Sequence, residues 1–180
     1  MILKNLILSL HLLIPLLAKE IYFTRTGFVS FFSSTPVEDI QAKNNQTSCI
    51  LDLETGKTSF RIPIRGFEFP NALMQEHFNE NYMESEKYPN ASFNGKIENW
   101  NSLEINESPQ EVVITGEMSI HGVTKEIKET GIISTKSNKI FGKSTFVVKL
   151  EDYNIKIPKI VIKNIAESIK INIELDLKKK

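Results

Sequence analysis

The feature that most limits what this chain can become is its last stretch. From Ser168 to Lys178, Ile169, Ile171, Ile173, Leu175 and Leu177 alternate with Lys170, Asn172, Glu174 and Asp176. Successive side chains of a strand point to opposite faces, so this period of two predicts one buried face and one wet face. The same alternation recurs in Val112, Ile114, Met118 and Ile120, in Ile140, Phe146, Val148 and Leu150, and in Phe60, Ile62 and Ile64. Turn chemistry separates the runs, with Glu54-Thr55-Gly56-Lys57 between two of them and Lys136-Ser137-Asn138 between two others. The expected class is all-β and antiparallel, with seven or eight strands that could form a sandwich or a closed barrel. Periodicity does not choose between the two.

One segment breaks the pattern. "PNALMQEHFNENYM", Pro70 to Met83, has few β-branched residues and places Met74, Phe78 and Tyr82 at steps of four, which predicts a short amphipathic helix. Asn71 is the expected N-cap, and Tyr88-Pro89-Asn90 returns the chain to a strand at Ala91.

The N-terminus reads as a targeting signal. Lys4 supplies positive charge, "LILSLHLLIPLLA" is apolar, and Ala18 precedes the charged pair Lys19-Glu20. Spanning a bilayer takes about 20 apolar residues, whereas this run is shorter and holds His11 and Pro15. The expectation is a signal peptide over residues 1–18, cleavage near Ala18 and one exported domain over 19–180, periplasmic or secreted. An uncleaved anchor is the alternative, because Leu16 stands where a small residue is usual.

Composition narrows the functional classes. Lys and Arg number 22, as do Asp and Glu, so no basic excess favours nucleic acid. Eleven Phe against one Trp indicate an apolar interior. Cys49 is the only cysteine, so an exported chain has no internal disulfide and relies on packing. The terminal Lys178-Lys179-Lys180 would add weak, transient attraction to an anionic membrane surface.

Chemical motifs are sparse. The sequence contains neither G-x-S-x-G nor H-E-x-x-H, and "QEHF" around His77 has the wrong spacing for the latter. Past the signal, two histidines and one cysteine make a thin metal set, so neither catalytic residues, a metal nor a cofactor is expected. In "EMSIHGVTKEI", His121-Gly122 interrupts an alternating run and reads as a hairpin corner rather than a catalytic group.

"KYPNASFNGKI" (Lys87 to Ile97) and "MSIHGVTKEI" (Met118 to Ile127), with "EHFNENYM" just before the first, resemble the YceI-like proteins, a bacterial group of exported domains. The similarity runs from about Tyr22 to the end. It implies a lipocalin-like antiparallel β-barrel of about eight strands with one short helix. It also implies an elongated apolar interior that holds a polyisoprenoid or similar long-chain lipid, in a monomer or a homodimer. Many members carry a histidine after the first strand, whereas "SFFSSTPVEDIQAKN" here has none.

The inward rows then supply the lumen candidates. Cys49 and Leu51 share one row, Phe60 and Ile62 another, and Phe93, Ile114, Met118, Phe146 and Val148 lie on three more, with Met74, Phe78 and Tyr82 from the helix. Gly95, Gly116 and Gly142 interrupt apolar rows. Strand glycines mark either bends or room for a ligand; the residues weigh these equally, and the resemblance favours the lumen. Three functions follow: a lipid-binding module, a filled barrel acting through its surface in stress or partner binding, and, last, an enzyme on a lipid-like substrate.

Overall fold

The structure, a computed structural model, describes residues 20–158 and 163–180. The expected signal segment lies outside the described residues. Eight strands follow in order: β1 (Ile21–Ser34), β2 (Asp39–Asp52), β3 (Lys57–Pro63), β4 (Asn90–Ile97), β5 (Gln110–Ile120), β6 (Val123–Lys136), β7 (Lys139–Lys149) and β8 (Ser168–Lys179). Each pairs antiparallel with its sequence neighbours, and β8 pairs back onto β1, so the sheet closes into an up-and-down barrel. Closure of β8 onto β1 settles the choice between sandwich and barrel.

The turns behave as their residues dictate. His121 and Gly122 have φ of 51° and 76°, and Ser137 and Asn138 have 51° and 60°. Two successive left-handed residues match the right-handed twist of a two-residue hairpin. Asn45 and Gln46 are exposed where the inward row of β2 changes parity, from Ala42 and Asn44 to Thr47, Cys49 and Leu51. The β1–β2 register shifts on either side of Gly27, so both strands bend there as the sheet curls.

α1 (Ala72–His77) is shorter than the expected helix. The Asn71 side chain caps it, accepting from the Leu73 and Met74 amides at 2.9 and 3.3 Å. Beyond His77 the backbone widens into a π-type turn over Phe78–Tyr82, in which the Met83 amide donates to Phe78 O at 2.9 Å. Asn79 Nδ2 donates to Gln75 O at 2.9 Å and anchors the change of pitch.

The interior has two ends. At one, Tyr22, Cys49, Leu51, Ile97, Val112, Ile133, Ile140 and Leu177 are buried together, and Trp100, Leu103 and Ile105 fold over them. Trp100 Nε1 donates to Leu53 O at 2.7 Å, which fixes the indole across this end. At the other end Ile64, Met83, Ala91, Val148, Tyr153 and Ile155 form a second cluster beneath Phe78 and Tyr82. Phe31, Phe67, Phe69 and Phe78 meet in edge and offset contacts, with ring centroids 5.0–5.7 Å apart. These aromatic contacts hold the helical segment against the barrel.

Candidate functional site

A cavity of about 420 Å³ runs through the barrel, bounded by Cys49, Leu51, Val112 and Leu177 towards the tryptophan end and by Phe78, Tyr82, Met83 and Ile155 towards the helix end. That volume lies in the usual range for small-molecule sites, about 300–1,000 Å³. The strand period creates it, because every second residue of eight strands faces inward and those residues are overwhelmingly apolar.

Thirteen of the fifteen candidates line this cavity. Cys49 and Leu51 come from β2, Phe60 and Ile62 from β3, and Phe93 from β4. Ile114 and Met118 come from β5, Gly142, Phe146 and Val148 from β7, and Met74, Phe78 and Tyr82 from the helical segment. Gly95 and Gly116 do not, which corrects the expectation that their missing side chains leave a lumen. They are direct partners across β4 and β5. A Cβ on Gly116 would stand 2.4 Å from both Asn94 O and Gly95 Cα. One on Gly95 would stand 2.2 Å from Thr115 O and 2.5 Å from the Phe93 ring. The two glycines let the strands approach closely, and Phe93 covers Gly95 on the inside. Gly142 differs, since a Cβ there meets only the Leu175 side chain, at 3.5 Å or more.

The Cys49 thiol is buried in this wall, 3.7 Å from Thr58 Oγ1, and burial pushes its pKa up to about 12. A thiol that stays protonated is a packing group, not a nucleophile. His121 is held in its hairpin, with Nδ1 3.1 Å from Tyr153 O and Nε2 3.1 Å from Glu84 Oε1, and its ring meets Tyr88 edge-on at 4.7 Å. It ties the turn to the segments on either side. Among the described residues no group of three or more His, Cys, Asp or Glu side chains converges as a metal set.

Sequence reasoning named no residue of β6 as a lumen candidate, although Ile127, Glu129, Gly131, Ile132 and Ile133 line the cavity. Its inward row runs Val123, Lys125, Ile127, Glu129, Gly131, Ile133, each more buried than the residues beside it as far as Ile133. Glu129 lines the cavity. Val123, Ile127 and Ile133 share one parity in "VTKEIKETGII", so the row was readable, but Lys125 and Glu129 interrupt it and mask the alternation.

Taken together, these features define a closed antiparallel barrel of the lipocalin-like kind, whose interior is an apolar cavity capped by a short helix. The sequence matches the family profile of the YceI-like domain over residues 24–177. The chain belongs to the YceI-like family. No curated protein matches it significantly. Among solved structures it is similar to a polyisoprenoid-binding domain of Saccharophagus degradans implicated in plant cell wall breakdown. That match has 13% identity and a TM-score of 0.77, covering 91% of this chain and 100% of that one. It is also similar to BcnA of Burkholderia cenocepacia, at 14% identity and a TM-score of 0.70 over 83% of this chain and 95% of that one. A YceI protein of Campylobacter jejuni matches at 19% identity and a TM-score of 0.61, over 77% and 84%.

Proposed function

We propose that this domain is an exported lipid-binding protein that holds a polyisoprenoid or similar long-chain amphiphile in the barrel lumen. The observation that carries the reading is the continuity of the apolar lining, from Leu51 and Leu177 at one end to Phe78 and Ile155 at the other. A flexible hydrocarbon fits a narrow channel of this kind, and each methylene taken out of water contributes about 0.8 kcal/mol. Ordering the chain offsets part of that gain. The S. degradans domain of the same fold, described as polyisoprenoid-binding, lends support. A binding role is favoured over catalysis because the polar members of the lining, such as Thr58, Ser92, Glu129 and Ser144, are dispersed over four strands. Export rests on residues 1–18 alone.

The test is mass spectrometry of an organic extract of protein purified without detergent from its own host. A long-chain lipid in near-stoichiometric amount is expected, on a polypeptide whose intact mass begins near Lys19. Folded protein that yields no lipid, and that takes up none when offered, refutes the lumen reading. Full-length chain recovered only in detergent refutes the soluble exported form.

A further inference from the structure

The barrel wall is not stitched along its whole height. β6 and β7 pair from Lys136↔Lys139 to Gly131↔Ser144 and no further. Continued past that rung, the register would join Thr130 to Thr145, Glu129 to Phe146 and Ile127 to Val148, and none of these pairs forms. Ser144 Oγ donates to Thr130 O at 2.6 Å and ends the seam. From there towards the helix end the two strands part, and Glu129 is the first inward residue beyond the last rung.

Glu129 has no hydrogen-bond or ion-pair partner among the described residues. Among the described residues, three lysines of the flanking strands are in ion pairs of their own. Lys125, on the same inward row, pairs with Asp152; Lys143, across the seam, lies 3.4 Å from Glu174; Lys128, on the outer face, lies 3.2 Å from Glu98. Tyr153, near enough for the carboxylate to influence its phenol, is buried in the second cluster and also meets Asp152 and the Lys125 ammonium. A carboxylate is acceptor-only, so on the wall of an apolar cavity it favours a ligand that brings a donor.

We infer that the polar end of the bound lipid lies at the β6–β7 seam and donates a hydrogen bond to Glu129, so that the ligand is a long-chain alcohol or amine rather than a diphosphate. The inference rests on the lumen reading given above. A hydroxyl or ammonium supplies the missing donor, whereas a diphosphate would bring its charge against a carboxylate whose neighbours Lys125, Lys128 and Lys143 are already in ion pairs. In an apolar setting that repulsion is screened far less than in water. Partial burial also holds the Glu129 carboxyl above the ordinary glutamate range.

The experiment uses delipidated protein loaded with 1-anilinonaphthalene-8-sulfonate, titrated with geranylgeraniol, geranylgeranylamine and geranylgeranyl diphosphate. The wild type should bind the alcohol and the amine about tenfold or more tightly than the diphosphate, a difference of about 1.4 kcal/mol. Glu129→Gln should keep the wild-type melting temperature or raise it, still bind the alcohol, and reduce the gap between amine and diphosphate to about threefold or less. Glu129→Lys should favour the diphosphate. Equal or tighter diphosphate binding by the wild type, or an unchanged gap in Glu129→Gln, overturns the assignment of Glu129 and leaves the lumen standing. Failure of all three compounds to enter the folded barrel overturns both.

Discussion

A single methyl group at Gly116 should cost the barrel far more than one at Gly142, although both glycines lie on inward rows. At Gly116 the added carbon would stand 2.4 Å from a carbonyl oxygen and 2.4 Å from an α-carbon, both on β4. These atoms belong to the paired backbone and cannot turn aside as a side-chain tip can, so β4 and β5 must separate locally. Overpacking of this kind costs about 1–3 kcal/mol, and contact with backbone on both counts places Gly116→Ala near the upper end, at about 3 kcal/mol. At Gly142 the new carbon would touch Leu175 Cδ1 at 3.5 Å and Cβ at 3.8 Å, which is ordinary contact. Gly142→Ala should therefore be neutral or stabilising by about 0.5 kcal/mol, through the lower entropy of the unfolded chain. For a domain of this size each kcal/mol moves the melting temperature by about 2–4 °C, so Gly116→Ala should melt about 6–12 °C below the wild type and Gly142→Ala at or slightly above it. Thermal unfolding by circular dichroism, with all three proteins free of lipid, reads the difference. A Gly116→Ala protein that melts with the wild type would show that the close approach of β4 and β5 does not constrain this position, and would reopen Gly116 as part of the lumen.

Two further outcomes follow from the buried thiol and the helix cap. Because the folded Cys49 pKa, about 12, exceeds its ordinary 9.0, the unfolded chain loses the proton first as pH rises. This group's contribution is intact below pH 9, and it then weakens by about 1.4 kcal/mol per pH unit up to the folded value. The stability of Cys49→Ala should fall less over that window in denaturant titrations, and a maleimide should label native Cys49 only slowly at pH 8, more slowly still with lipid bound. Asn71→Ala removes the acceptor of two amides at the start of α1, so it should cost about 1 kcal/mol in denaturant unfolding and speed lipid release, since Met74 and Phe78 line the cavity.

The parts of this molecule that were legible in the sequence are those governed by neighbours along the chain. The alternation in β8 exposed its two faces, the residues between β2 and β3 and between β6 and β7 announced hairpins, and Asn71 marked the start of a helix. Gly116 was misread because parity tells which face a residue occupies and says nothing of how close the next strand lies; that distance depends on the pairing of Gly116 with Gly95. Glu129 escaped for a related reason. Its inward position is written in the step of two from Ile127, but a charged residue in such a row reads as an outer face until barrel closure shows that the row has nowhere else to point. The interrupted seam beside it follows from how β6 and β7 diverge, a property of the closed sheet rather than of either strand.

The rung that closes the barrel joins its first strand to its last. Tyr22 pairs with Lys179, Phe32 pairs with Lys170, and the Lys180 amide donates to Ile21 O at 2.9 Å. These contacts span almost the whole described chain, and contacts so distant in sequence are slow to form because a long loop must be ordered before they contribute. During synthesis, β1 to β7 can exist only as an open sheet with two bare edges and an uncovered greasy face until β8 emerges. The molecule therefore acquires its interior in one late event, and a nascent chain halted before Ser168 would be a candidate for chaperone capture or aggregation rather than a partly working binder.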